Sequence, residues 1–141
     1  MHTTPQLPGA DWRVLVRKNG TPEFAAAFAP DVALGTSVIS APLVGIELVA
    51  AFFAATTKMY EQLDFTHETV AGRKTYFEWE GRAFGSDIAG ATIVTRDENG
   101  LIKSIRLYHR PFTAVVRFSA ELAKRLEGKV DRAMFGEALP R

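Results

Sequence analysis

The sequence contains no cysteine, which excludes disulfide bonds, thiolate metal ligands and a cysteine nucleophile together. Its longest apolar run, residues 41–55, carries Glu47 and is shorter than the roughly 20 residues that span a bilayer. Neither sign of charge dominates, since 17 Lys and Arg stand against 16 Asp and Glu, and no basic stripe favours nucleic acid. Residues 1–9 lack the basic-then-apolar build of a secretion signal. We therefore expect a cytoplasmic protein without a membrane or nucleic-acid partner.

Recognisable metal and nucleophile motifs are also missing. The three histidines are spread along the chain with neither H-x-H nor H-E-x-x-H spacing, and G-x-S-x-G does not occur. The sequence therefore predicts no metal ion and no cofactor.

What the chain does contain is a period-two pattern over its central third. In the segment 75–84, Phe77 and Trp79 alternate with Glu78 and Glu80, as in a strand with one buried and one solvated face. Segments 88–96 and 101–109 continue the pattern, and Asn99-Gly100 between them favours positive φ angles in a tight hairpin turn. Three consecutive antiparallel strands are predicted.

Helical spacing predicts most of the remaining chain. Helices are expected over residues 10–18, 22–28, 44–62 and 113–126, and strands over 32–34 and 65–70. The long helix would bury one face, formed by Ile46, Val49, Ala50, Phe53, Thr57 and Tyr60. Residues 1–9 are predicted as a loose arm and residues 129–141 as a short, partly ordered extension at best. A chain of 141 residues with this order of elements predicts one α+β domain, in which a bent, mostly antiparallel sheet wraps around the long helix.

Several local strings, in this order and spacing, resemble the nuclear transport factor 2-like superfamily. They are FAPDVAL, then Pro42-Leu43-Val44-Gly45, then AAFF in the long helix, and DENGLIKSIRLYHRP in the last hairpin. The superfamily includes ketosteroid isomerases and SnoaL-like polyketide cyclases. The resemblance implies a cone-shaped α+β barrel whose open end admits a small, usually hydrophobic molecule. It also implies a homodimer that packs through the outer face of the sheet.

The residues that ketosteroid isomerases require are not present at the matching positions. The carboxylate base before the P-x-G turn corresponds to Ser40 or Ala41, and the first-helix tyrosine to Trp12 or Arg13. The protonated strand aspartate corresponds to Thr92, and the supporting tyrosine to Phe53. The resemblance therefore argues against steroid isomerisation by that route.

His109 is the candidate catalytic residue. It follows Ile105 and Leu107 on the apolar phase of its strand, so its imidazole should face the cone, where an apolar wall lowers its pKa. A core histidine or one at the exposed rim is the alternative interpretation. The predicted ligand-binding residues lie on apolar faces of the predicted helices and strands or, in one case, at the position of the isomerases' strand aspartate. They are Trp12, Phe53, Phe77, Trp79, Thr92 and Leu107. Simple core packing competes with ligand binding at each of them.

Other titratable residues have plainer interpretations. Asp87 is a pocket acid or, more simply, a turn-capping residue after Gly85-Ser86. His67 and Glu68 must face opposite sides of a strand, and a solvated face is favoured for either. Glu78 and Glu80 should meet solvent or pair with Arg82 and Arg106 across strands.

Three functions are compatible with these features. The leading hypothesis is a SnoaL-like pocket protein that binds a small apolar or aromatic metabolite. The second is a cofactor-free isomerase, cyclase or hydratase that uses His109 for proton transfer. The third is a protein-interaction module that acts through the outer sheet face around Tyr76.

Overall fold

The computed structural model describes residues 11–135, so the predicted arm and residues 136–141 lie outside the described part of the chain. Four α-helices and six strands follow one another with two short 3₁₀ turns, Val16–Lys18 and Arg132–Met134. The helices are α1 (Trp12–Leu15), α2 (Pro22–Ala26), α3 (Ile46–Thr56) and α4 (Phe112–Arg125). The strands are β1 (Phe28–Thr36), β2 (Leu43–Val44), β3 (Tyr60–Ala71), β4 (Lys74–Ala83), β5 (Ser86–Arg96) and β6 (Ile102–Arg110).

The strands form one curved sheet in the order β2-β1-β6-β5-β4-β3. Every neighbouring pair is antiparallel except β1 and β6, which run parallel. Helices α3 and α4 pack on the sheet, and one hydrophobic core joins them to it. This confirms the predicted α+β class with a bent, mostly antiparallel sheet.

The period-two pattern sets which side chains are buried in β4. Thr75, Phe77 and Trp79 are buried, whereas Glu78 and Glu80 are exposed. The predicted turn after β5 forms, with Gly100 at φ 83° and the Asp97 carboxylate accepting from the amides of Asn99 and Leu101. Within residues 11–135, Asn99 does not share the positive φ that the sequence predicted for it.

The long helix is shorter than predicted and ends at Thr56 rather than Gln62. Its start moves from Val44 to Ile46 because Gly45 has φ 100°, which is not helical, and Val44 pairs in β2. At the other end the Thr57 hydroxyl donates to the Phe53 carbonyl, and the chain turns into β3. Pairing with β4 over residues 60–71 therefore overrides the helical tendency of the segment 58–63.

The buried face of α3 differs in consequence from the predicted one. Val49 and Phe53 are buried as predicted, but Phe52 and Thr56 complete that face. Tyr60 lies on β3 instead.

Helix α4 buries Phe118, Ser119, Leu122 and Ala123, whereas Val116, predicted on that face, is 41% exposed.

The chain beyond the helix packs back on the domain as far as it is described. Phe135 is only 2% exposed, and the Ser40 amide donates to the Met134 carbonyl at 2.9 Å. The extension thus reaches the core at Phe135. Within residues 11–135, no helix has the length and apolar character needed to cross a bilayer.

Candidate functional site

A small apolar cavity lies between helices α1 and α3 and the inner face of the sheet. Its volume is about 40 Å³, and it is lined mainly by large side chains, among them Trp12, Phe52, Phe53, Tyr60, Trp79 and Leu107. At roughly 10–15 Å³ for each water molecule, this space holds about three waters. A larger ligand must displace lining side chains to enter.

The structure brings together six of the seven predicted site residues. Trp12, Phe53, Trp79, Thr92, Leu107 and His109 all line the cavity. Phe77 does not line it. It is 2% exposed and packs its ring against Phe65, with 5.5 Å between centroids. It lies two residues along β4 from Trp79, about 7 Å away. At that position its side chain is part of the solid core beyond the cavity.

Trp79 is held in a fixed orientation by β5. Its indole Nε1–H donates to Thr92 Oγ1 at 3.1 Å, and both side chains are buried. Gly90 lies opposite Trp79 in the ladder, and a Cβ at this position would stand 2.7 Å from Trp79 Cζ2. The absence of a side chain at Gly90 therefore makes room for the indole ring.

His109 faces the cavity from β6. Among the described residues, only one of its two ring nitrogens has a hydrogen-bond partner. Its Nδ1 lies 3.3 Å from Ser37 Oγ, which also accepts from the His109 amide at 2.8 Å. The ring lies between Trp79 and Phe118, with centroid distances of 5.3 and 5.7 Å. Burial lowers the pKa of His109 to about 4, the predicted direction, so the imidazole is neutral at pH 7.

Tyr60 is one of several cavity-lining residues that sequence reasoning missed. Its ring lies 5.7 Å from Trp79 and 5.2 Å from Phe118, and burial raises the pKa of its phenol. The sequence placed it on a helix that ends four residues earlier. The consecutive threonines Thr56 and Thr57, both weak helix formers, were the available signal for that ending.

The remaining candidates lie away from the cavity. Asp87 is exposed and pairs with Arg82 at 2.8 Å, and Glu68 pairs with Arg13 at 3.4 Å. His67 is exposed. Ser40 and Ala41 are exposed as well. Neither side chain carries a carboxylate, so neither can act as the isomerase base. Among residues 11–135, no three His, Asp or Glu side chains are grouped so as to hold a metal ion.

Comparison with solved structures identifies the architecture. An uncharacterised Silicibacter pomeroyi protein with a cystatin-like fold superposes with a TM-score of 0.75 at 20% identity, over 81% of each chain. A steroid delta-isomerase from Pseudomonas aeruginosa also gives 0.75, at 18% identity, over 82% of this chain and 85% of that one. A Shewanella denitrificans chain provisionally named a SnoaL-like polyketide cyclase gives 0.55 at 14% identity, over 70% and 83%.

The chain therefore has the cone-shaped α+β fold of the nuclear transport factor 2-like superfamily, which confirms the predicted resemblance. No model of a protein family and no curated protein sequence matches it. The shared property is the fold, and the activity has to be argued from this chain's own cavity.

Proposed function

We propose that the protein binds a small apolar or aromatic metabolite in the cavity between α3 and the sheet. The observation that carries this proposal is the convergence of rings from α1, α3, β3 and β4 on one space that they do not fill. β3 is an edge strand with β4 as its sheet neighbour, and its Leu63 and Phe65 are half-buried lining residues. The side chains that β3 contributes to the lining can therefore move most easily when a ring-sized ligand enters.

A thermal-shift screen of small uncharged aromatic compounds tests the proposal. We expect some of them to raise the melting temperature of the wild type, because a ligand that binds only the folded state stabilises it. Leu63→Trp should abolish the shift by filling the cavity. Gln62→Trp places the same ring at an exposed position of β3 and should keep the shift. A screen without hits on the wild type, or equal shifts for both variants, contradicts the proposal.

The second candidate function is cofactor-free acid–base catalysis, such as isomerisation, cyclisation or hydration. The observation that favours it is the position of His109, whose imidazole lines the cavity and is in its unprotonated form at pH 7. Each ligand from the screen can be incubated in D₂O with wild type and with His109→Gln. We expect deuterium at an acidic C–H position only with the wild type, while both proteins bind the ligand. Equal exchange with both would leave His109 as a lining residue.

The outer sheet face supports a homodimer as the partner of this chain. Glu78 and Glu80 lie on β4, and Arg106 and Arg110 lie on β6, all exposed. Between them β5 contributes small side chains that floor a groove of about 300 Å³. A two-fold axis along β5 would bring β4 of each copy over β6 of the other. The face is therefore complementary in charge to a second copy of itself, and Tyr76 and Tyr108, 39% and 50% exposed, supply apolar contact.

Charge reversal provides a sharp test of this dimer. We expect wild type to be a dimer by light scattering at micromolar concentration. Glu78→Lys/Glu80→Lys and Arg106→Glu/Arg110→Glu should each be monomeric, because each face then carries one sign of charge. An equimolar mixture of the two variants should form heterodimers. Glu98→Lys/Glu127→Lys, at exposed positions off this face, is the control. A monomeric wild type, or a mixture that stays monomeric, would refute the arrangement.

A further inference from the structure

A surface groove lies between the start of α4 and the turn that joins β4 to β5. Its volume is about 320 Å³, and its lining includes Phe84, Asp87, Ile88, Arg117 and Phe118. Ile88 and Phe118 are buried and Phe84 is half-buried, whereas Asp87 and Arg117 are exposed. The groove therefore has an apolar floor and a charged rim.

Phe118 separates this groove from the cavity. Its ring lies 5.2 Å from that of Tyr60 and 5.7 Å from that of His109, and both of these residues line the cavity. The same ring lies 6.4 Å from that of Phe84, which lines the groove. One aromatic side chain thus stands between the two spaces, and a change in its rotamer would join them.

Phe84 borders the groove at a conformational cost. It lies in the turn after β4 with φ 54°, a value that bulky residues rarely adopt. The Gly85 amide donates to Glu61 Oε1 and the Gly85 carbonyl accepts from Arg82, both at 2.8 Å, so the turn is held in place. Glycine or asparagine would be less strained at such a position. The chain instead keeps an aromatic ring there, beside the groove.

Arg117 gives the rim of the groove an uncompensated positive charge. Its guanidinium lies over the Phe84 ring, with Cζ 5.5 Å from the centroid. Among residues 11–135 its side chain has neither an ion pair nor a hydrogen bond. Asp87 also lines the groove, but it pairs with Arg82 at 2.8 Å. A guanidinium presents paired N–H donors that match the two oxygens of a carboxylate, so this rim favours an anionic group of that shape.

We propose that the groove is a second compartment of the ligand site, which receives the carboxylate of an arylalkanoic acid while the aromatic ring of that ligand lies in the cavity. The alkyl chain passes the position of Phe118, whose ring turns aside, and the carboxylate pairs with Arg117. This inference rests on the proposed ligand-binding function and adds an anionic end to the class of ligand.

Calorimetric titration at pH 7 with phenylbutyrate, phenylbutanol and toluene tests the inference. The first two compounds share a ring and a chain and differ in the charge at the end, whereas toluene supplies the ring without the chain. Arg117→Gln removes the positive charge, so we expect it to weaken phenylbutyrate binding about fivefold and to leave the other two within about twofold. Arg125→Gln makes the same change at an exposed position of α4 roughly two turns farther along, and it should bind all three compounds as the wild type does.

Leu63→Trp, which fills the cavity, shows whether the ring of phenylbutyrate uses that space. We expect this variant to bind none of the three compounds. If it binds phenylbutyrate as the wild type does, the groove is a separate surface site and the two-compartment arrangement is wrong.

The remaining outcomes separate this inference from the function on which it rests. If Arg117→Gln and Arg125→Gln weaken phenylbutyrate binding equally, or neither does, Arg117 does not hold the carboxylate and the inference is wrong. The same holds if the wild type binds toluene but not phenylbutyrate, and in both cases apolar binding in the cavity stands. If the wild type binds none of the three, the proposed function fails and the inference falls with it. Melting temperatures of the variants establish that they are folded before titration.

Discussion

Replacing Gly90 with alanine is expected to destabilise the protein by about 3 kcal/mol or more. An added Cβ would collide with the backbone carbonyl oxygen of Tyr108 and stand 2.7 Å from Trp79 Cζ2. The carbonyl belongs to β6 and cannot retreat without disturbing the β5–β6 ladder. The indole cannot retreat without losing its hydrogen bond to Thr92. Denaturant unfolding followed by tryptophan fluorescence measures the change.

Gly35→Ala is the matched control, since it also adds one methyl group to a strand of the same sheet. No heavy atom lies within 4 Å of a Cβ at Gly35, so this change should be neutral or slightly stabilising. If Gly90→Ala unfolds within about 0.5 kcal/mol of Gly35→Ala, the close packing of Trp79 over Gly90 is not a constraint on the fold.

Much of the sheet could be predicted because its signals are local. Alternation between Phe77 or Trp79 and Glu78 or Glu80 reflects which face of one strand is buried, and that needs no knowledge of the partner strand. A glycine such as Gly100 likewise marks a turn through its own backbone freedom. These signals were enough to place β4, β5 and β6, and with them the inward phase of His109.

The ends of α3 could not be predicted in the same way. The segment after Thr57 has residues compatible with a helix, and its assignment to β3 depends on pairing with β4, which lies farther along the chain. Tyr60 was misplaced for that reason. Phe135 was likewise assigned to an extension, because the sequence does not show that the chain returns to Ser40 and buries this ring. Both errors concern contacts distant in sequence.

The boundary of the cavity depends on packing of the same distant kind. Phe77 and Trp79 share a phase of β4 and are equally apolar, so the sequence cannot tell which of them borders the open space. The structure separates them because Phe65 closes over Phe77, while α4 brings Phe118 against Tyr60 and His109. Periodicity predicted the face, but three-dimensional packing decides where that face is left uncovered.

Replacing His109 with glutamine is expected to reduce the loss of folding free energy as the pH falls below about 6.5. Burial lowers the pKa of His109 from its usual value near 6.5 to about 4. Between these two values the unfolded chain binds a proton at this residue that the folded chain does not bind. The neutral His109 therefore contributes stability that is fully present above about pH 6.5. The wild type loses this stability as the pH falls from about 6.5 towards 4.

At about pH 4 the loss due to His109 should reach roughly 3 kcal/mol, because one pKa unit corresponds to about 1.36 kcal/mol. Glutamine does not titrate, so the free energy of unfolding of His109→Gln should lack this part of the slope. Other groups contribute equally to both proteins and cancel in the difference between their urea-unfolding curves at pH 7, 6, 5 and 4. His67→Gln removes an exposed histidine but retains His109, so it should keep the wild-type slope. If His109→Gln loses stability with acid as steeply as the wild type, burial does not hold the imidazole of His109 neutral.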